Sequence, residues 1–130
     1  LKVSGDYIGA LSVEYREFAK MFEYVINLHN RYHQEVHLVM ITLENQVGDR
    51  LYIDELEETM AHLETAIRET IRSIDICTRY SSIQYLVILL EAGDINVKMI
   101  IDRIFCNFYK RCENKKMMPV YSVMRTDGEE

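Results

Sequence analysis

Arg72 and Asp75 stand three residues apart, shortly before two apolar runs separated by a very short gap, and their chemistry suits a ligand site. A guanidinium presents a planar fork of donors that matches phosphate and other planar acceptors, and a carboxylate accepts in return. At i and i+3 near a helix end, both would project from one face. The same spacing lets them simply pair with each other on the surface, worth about 0.2–0.5 kcal/mol. An Arg in a last helical turn is favourable even without a ligand. Arg79, four residues after Asp75, adds positive charge on the way into the gap.

Other reactive groups are less organised. His29 and His33 share i, i+4 spacing and His37 follows four later; two imidazoles so placed can share a metal. No Cys or carboxylate is placed to complete that set, and the polar Asn30-Arg31 stretch reads as a solvated helix end. Glu58 and His62, also at i, i+4, read as a surface hydrogen bond, and Glu55–Glu58 as a solvated, dipole-matched helix start. The Tyr residues are dispersed and read as packing. No Gly-rich phosphate loop, nucleophile elbow or Ser/His/Asp order is present, so neither a metal nor a cofactor is expected.

Composition narrows the classes further. The net charge of −6 argues against nucleic-acid backbone binding. No apolar run approaches the roughly 18–20 residues of a membrane span. Cys77, Cys106 and Cys112 form no CxxC pair, and an odd, unspaced set reads as reduced thiols of a cytoplasmic chain. The 130 residues suffice for one domain with a real core. Leu1 is not a typical native start, so the segment reads as one domain of a larger protein.

The elements that must hold these groups follow from periodicity. Residues 12–33 carry Phe18, Phe22, Val25, Leu28 and Tyr32 at helical spacing, with Ser12 as N-cap. Val36–Leu43 is an apolar strand, and 44–53, with Gly48 and Asp49, is a loop. Leu56, Met60, Leu63, Ile67, Ile71 and Ile74 are spaced by 4, 3, 4, 4 and 3 residues, one continuous helical stripe. Ile76–Tyr80 and Tyr85–Leu90 are strands, and the gap Ser81–Gln84 forces a hairpin. Asp94 caps a third helix that turns Val97, Ile100, Ile101, Ile104 and Phe108 inward and ends at Lys110 and Arg111. Lys115, Lys116 and Pro119 mark a loop, Val120–Met124 a last strand, and 126–130 a disordered tail. The order, helix then strand–helix–strand–strand–helix–strand, predicts an α+β fold. Its centre is an antiparallel sheet with packed helices in a split βαβ, ferredoxin-like arrangement.

Local sequence resembles the GGDEF (diguanylate cyclase) domain along nearly the whole chain. Asp6-Tyr7-Ile8-Gly9-Ala10-Leu11 resembles the family's opening Asp-x-Leu-Thr-Gly-Leu, and Met40–Glu44 resembles the end of its first strand. Arg72–Leu90 resembles its RxxD helix end, signature hairpin and second strand, and Tyr121-Ser122-Val123 its late Val-Ser-Ile strand. The signature Gly-Gly-Asp/Glu-Glu-Phe is replaced by Ser81, Ser82, Ile83, Gln84 and Tyr85, and Thr42 stands where the family places a metal-binding Asp. Asn45–Ile53 does not reproduce the family's Phe-Lys-x-Ile-Asn-Asp stretch.

The resemblance implies a catalytically silent, degenerate GGDEF domain of a bacterial signalling protein. The family's cyclase chemistry places divalent ions on GTP, and magnesium requires hard, usually anionic oxygens. The family's RxxD motif binds cyclic di-GMP, so Arg72 and Asp75 are the implied contacts: Arg72 to guanine O6/N7 or a phosphate, Asp75 to the guanine N1 and N2 donors. Neighbouring sensor or output domains, and a homodimer, are the implied partners. The alternative is a ligand-free scaffold for dimerisation or protein contact.

Overall fold

The computed structural model describes residues 15–32, 35–46, 48 and 50–125. Ser12, the Asp6–Leu11 stretch, His33 and the 126–130 tail lie outside them. The elements are α1 (Tyr15–Tyr32), β1 (Val36–Asn45), α2 (Ile53–Thr70), β2 (Ile76–Ser81), β3 (Gln84–Leu90), α3 (Asp94–Arg111) and β4 (Met117–Arg125). The four strands form one antiparallel sheet in the order β2-β3-β1-β4, the expected ferredoxin-like arrangement.

The sheet is covered on both faces, which explains why β1 and β3 read as nearly unbroken apolar runs rather than alternating ones. Val39, Ile41 and Leu43 of β1, with Tyr85, Val87 and Leu89 of β3, pack against Met60, Leu63 and Ile67 of α2 and Val97, Ile101, Ile104 and Phe108 of α3. Their neighbours point the other way: Val36, Leu86 and Ile88 form a second cluster with Val25 of α1. Period-2 side-chain alternation divides one strand between two cores.

Several boundaries differ from the sequence expectation. β1 runs on to Asn45, where Glu44 and Asn45 pair with Met118 and Met117 instead of entering a loop. α2 stops at Thr70, with Ile71 extended at φ −78° and ψ 160°. Ile74 therefore leaves the helical stripe and is half exposed. The hairpin turn tightens to Ser82-Ile83. Asp94 does not cap α3: Gly93 is the N-cap at φ 77°, a conformation that favours glycine, and Asp94 instead accepts from His37 Nε2 at 2.9 Å. His37 is accordingly buried, not part of a solvated helix end.

Pro119 lies inside β4 rather than in a loop, opposite Leu43. The reason is directional. Leu43 N–H donates to Ile83 O at 2.9 Å, toward the β2–β3 hairpin. Leu43 thus asks nothing of its partner on β4, and a residue without an N–H fits there. Proline is tolerated in a sheet at such an edge-strand position.

Candidate functional site

The turn after α2 is built around one carboxylate. Asp75 N–H donates to Arg72 O at 3.0 Å, closing the turn. Asp75 Oδ2 accepts from Arg72 N at 2.9 Å and Arg72 Nε at 3.0 Å. Asp75 Oδ1 accepts from Arg72 Nη2 at 3.1 Å and from Leu90 N at 3.2 Å. Arg72 Nη2 also donates to Leu90 O. A short polar side chain that satisfies backbone N–H groups in this way competes with helix continuation, which accounts for the stop at Thr70.

The two residues therefore do not project together from a helix face, as their spacing suggests. The Asp75 side chain is 0% exposed and that of Arg72 44%. The hydrogen bond to Asp75 raises the Arg72 pKa further above its ordinary value, and the Asp75 and Glu91 charges add to it against the opposing effect of burial. Beside the turn lies a groove of about 500 Å³ with Arg68 and Arg72 on its wall and Ile71 and Ile76 among its lining. Arg68 was legible in the sequence only as a helix-end charge; its place four residues before Arg72 is the signal that it shares this groove.

At the other end of β2, the hairpin turn is closed by its own polar groups. Ser81 Oγ donates to Gln84 Oε1 at 2.8 Å and Ile83 N–H donates to Ser81 Oγ at 3.3 Å. Gln84 Nε2 donates to Thr42 Oγ1 at 3.2 Å. Thr42, Ser81 and Gln84, separated in sequence, thus meet at one corner; Ser82 and Ile83 form the exposed turn beside it. Tyr85 points away into the core, fully buried, its hydroxyl donating to Met60 O at 3.4 Å. Six residues of β2 separate this corner from Arg72–Asp75, roughly 20 Å at strand rise, so the structure does not merge the two candidate regions.

Arg79 belongs to the hairpin rather than to either surface. Only 3% of it is exposed. Its Nε donates to Ser81 O at 2.7 Å and its Nη2 to Ser82 O at 3.2 Å and Glu57 Oε2 at 3.3 Å. The guanidinium also sits 5.6 Å from the centroid of the Tyr85 ring.

The acidic start of α2 is likewise more than a solvated face. Glu55 accepts from Tyr52 N at 3.3 Å, Asn114 Nδ2 at 3.0 Å and Lys116 Nζ at 2.8 Å. The Lys116 bond, then the Tyr52 N–H, hold the Glu55 carboxyl below its usual range. Glu58 and His62 line a cavity of about 230 Å³ with Arg111, Glu113 and Asn114. No group of three or more His, Cys, Asp or Glu able to hold a metal occurs among the described residues. No described helix is long and apolar enough to cross a membrane.

No protein-family model matches the chain, and no curated protein matches it. Solved structures do. A DGC protein from Thermotoga maritima superposes with a TM-score of 0.68 at 14% identity, over 85% of this chain and 78% of that one. The GGDEF domain of DgcB from Caulobacter crescentus, in complex with c-di-GMP, gives 0.72 at 7% identity over 92% and 79%. The diguanylate cyclase SiaD from Pseudomonas aeruginosa, in complex with its activator SiaC, gives 0.72 at 16% identity over 85% of this chain. This chain spans only 45% of SiaD. The chain has the fold of GGDEF domains.

Proposed function

We propose that this chain is a regulatory GGDEF-like domain of a bacterial, cytoplasmic signalling protein, silent as a cyclase, that takes cyclic di-GMP at the Arg72 turn. The observation that carries the first half is the Thr42–Gln84 hydrogen bond at 3.2 Å, which joins the end of β1 to the hairpin. GTP condensation on this fold calls for divalent cations at that corner. Such ions take hard, usually anionic oxygens in octahedral array. Thr42, Ser81, Ser82 and Gln84 offer only neutral groups there, Ile83 offers none, and the Thr42 and Gln84 side chains are bonded to each other. The residues present do not fit the cations, so no metal-assisted phosphoryl step is derived for this chain.

The second half rests on the half-exposed Arg72 beside an open groove, and on the neighbouring DgcB domain, whose structure holds c-di-GMP. Two measurements test the reading. Incubation with magnesium and GTP, followed by chromatography, is expected to yield no cyclic di-GMP; sustained product would overturn the silent assignment. Calorimetric titration with cyclic di-GMP is expected to show micromolar or tighter binding that Arg72→Ala removes.

A second reading has its own observation. The Asp75 carboxylate is wholly engaged within the chain, as expected of a turn kept for structure in a ligand-free scaffold that contacts neighbouring sensor or output domains or a second copy. Absence of heat with the unmodified chain would select it.

A further inference from the structure

We infer that Arg68 is the second ligand-holding side chain of the groove and that Asp75 is a positioning residue that touches no ligand. This rests on the cyclic di-GMP reading above. An ionised carboxylate has about four lone-pair sites. Four donors already fill them: Arg72 N and Nε on Oδ2, Arg72 Nη2 and Leu90 N on Oδ1. Asp75 is among the residues that line the groove, but with its side chain 0% exposed the carboxylate has neither an acceptor site nor a surface to offer a guanine edge. What its carboxylate does is fix the Arg72 guanidinium. The Nε and Nη2 edge is held against Asp75 and Leu90 O, which leaves the Nη1 donors to serve the exposed side.

Arg68 supplies what Asp75 cannot. It lines the same groove as Arg72, and its side chain is 45% exposed. Its Nη1 lies 3.6 Å from Oε2 of the mostly buried Glu64, an i, i+4 pair beyond hydrogen-bond length. A guanidinium carries five N–H donors, so this one loose contact leaves others to offer an anion. Two arginines and two isoleucines lining one groove make a surface for a phosphodiester with an attached base. The planar donors grip phosphate oxygens, and the aliphatic side chains receive the base. The groove volume of about 500 Å³ falls in the range of small-molecule sites.

The test is calorimetry with cyclic di-GMP on the 130-residue chain at two salt concentrations, with thermal melting of each variant. Arg68→Gln is expected to weaken binding about tenfold or more and to flatten its salt dependence, with the melting temperature unchanged; Arg68→Lys is expected to recover part of the affinity. Asp75→Asn is expected to lower affinity at a temperature where it stays folded. It should also shift the Arg72 Nε–H resonance of the ligand-free chain, as expected when the carboxylate that holds the guanidinium is altered. If Arg72→Ala abolishes binding while Arg68→Gln binds as the unmodified chain does, the inference is overturned and the cyclic di-GMP reading stands. If the unmodified chain binds nothing, that reading falls and this inference with it.

Discussion

Gln84 on β3 donates to Thr42 on β1 at 3.2 Å, so residues 42 positions apart in the chain form one polar corner of the fold. Gln84 also accepts from Ser81 at 2.8 Å, which makes its amide the link between the turn and the central strand. Gln84→Ala should therefore destabilise the domain by about 1 kcal/mol, the usual net value of such bonds. In a urea-unfolding cycle with Thr42→Ala, the two substitutions should be non-additive. Magnesium-GTP should leave the melting temperature of the unmodified chain unchanged, since a ligand stabilises only what it binds.

The Arg72–Asp75 turn makes an asymmetric prediction. Asp75→Ala leaves the N–H groups of Arg72 and Leu90 without their acceptor and unties the end of α2 from the end of β3. A loss of about 1–3 kcal/mol is expected, the cost of donors left without their acceptor, since the guanidinium that remains is half exposed. Arg72→Ala keeps both backbone donors on Asp75 but leaves a carboxylate that is 0% exposed without its guanidinium, so its cost should be the larger, about 3 kcal/mol or more. Equal losses in denaturant titrations would contradict this account.

Glu55 sets a pH window. Its carboxyl titrates lower in the folded chain than its ordinary 4.5, first through the Lys116 hydrogen bond and then through the Tyr52 N–H. As pH falls from about 5, the unfolded chain takes up the proton first, so stability present above 4.5 drains away until the folded carboxyl is also protonated. Glu69, lowered by its bonds from Asn107 and Arg111, acts in the same direction. Glu55→Gln should flatten the fall of melting temperature between about pH 5 and pH 3 relative to the unmodified chain.

The thiols should separate by burial. Cys77 is 1% exposed and desolvation pushes its pKa well up, so the reactive thiolate is scarce. Cys112 is buried with Sγ 3.4 Å from Asn114 O, while Cys106 is exposed on α3. Iodoacetamide at pH 8 should add once to the folded chain, at Cys106, and three times after unfolding, as read by intact mass. Rapid modification of Cys77 in the folded state would rule out the packing described around it.

Much of the architecture was legible because its signals are local. The stripe through Leu56, Met60, Leu63 and Ile67 marked α2, and the spacing from Val97 to Phe108 marked α3 and its end at Arg111. The unbroken runs of β1 and β3 fitted buried strands, and the order of elements implied the sheet. The absence of carboxylates at Thr42, Ile83 and Gln84 was likewise plain from residue identity alone.

What the chain could not disclose by itself was where each polar group finds its partner. Asp75 takes a donor from Leu90, 15 residues away, and Arg79 takes an acceptor from Glu57, 22 away. His37 draws Asp94 off its expected cap across 57 residues. Pro119 is admitted to β4 because Leu43 spends its N–H on the opposite neighbour. Periodicity records which side of an element is apolar. The choice between exposed contact and buried clasp depends on groups brought together only when the sheet closes, and that choice turned Asp75 from a surface acceptor into an interior one.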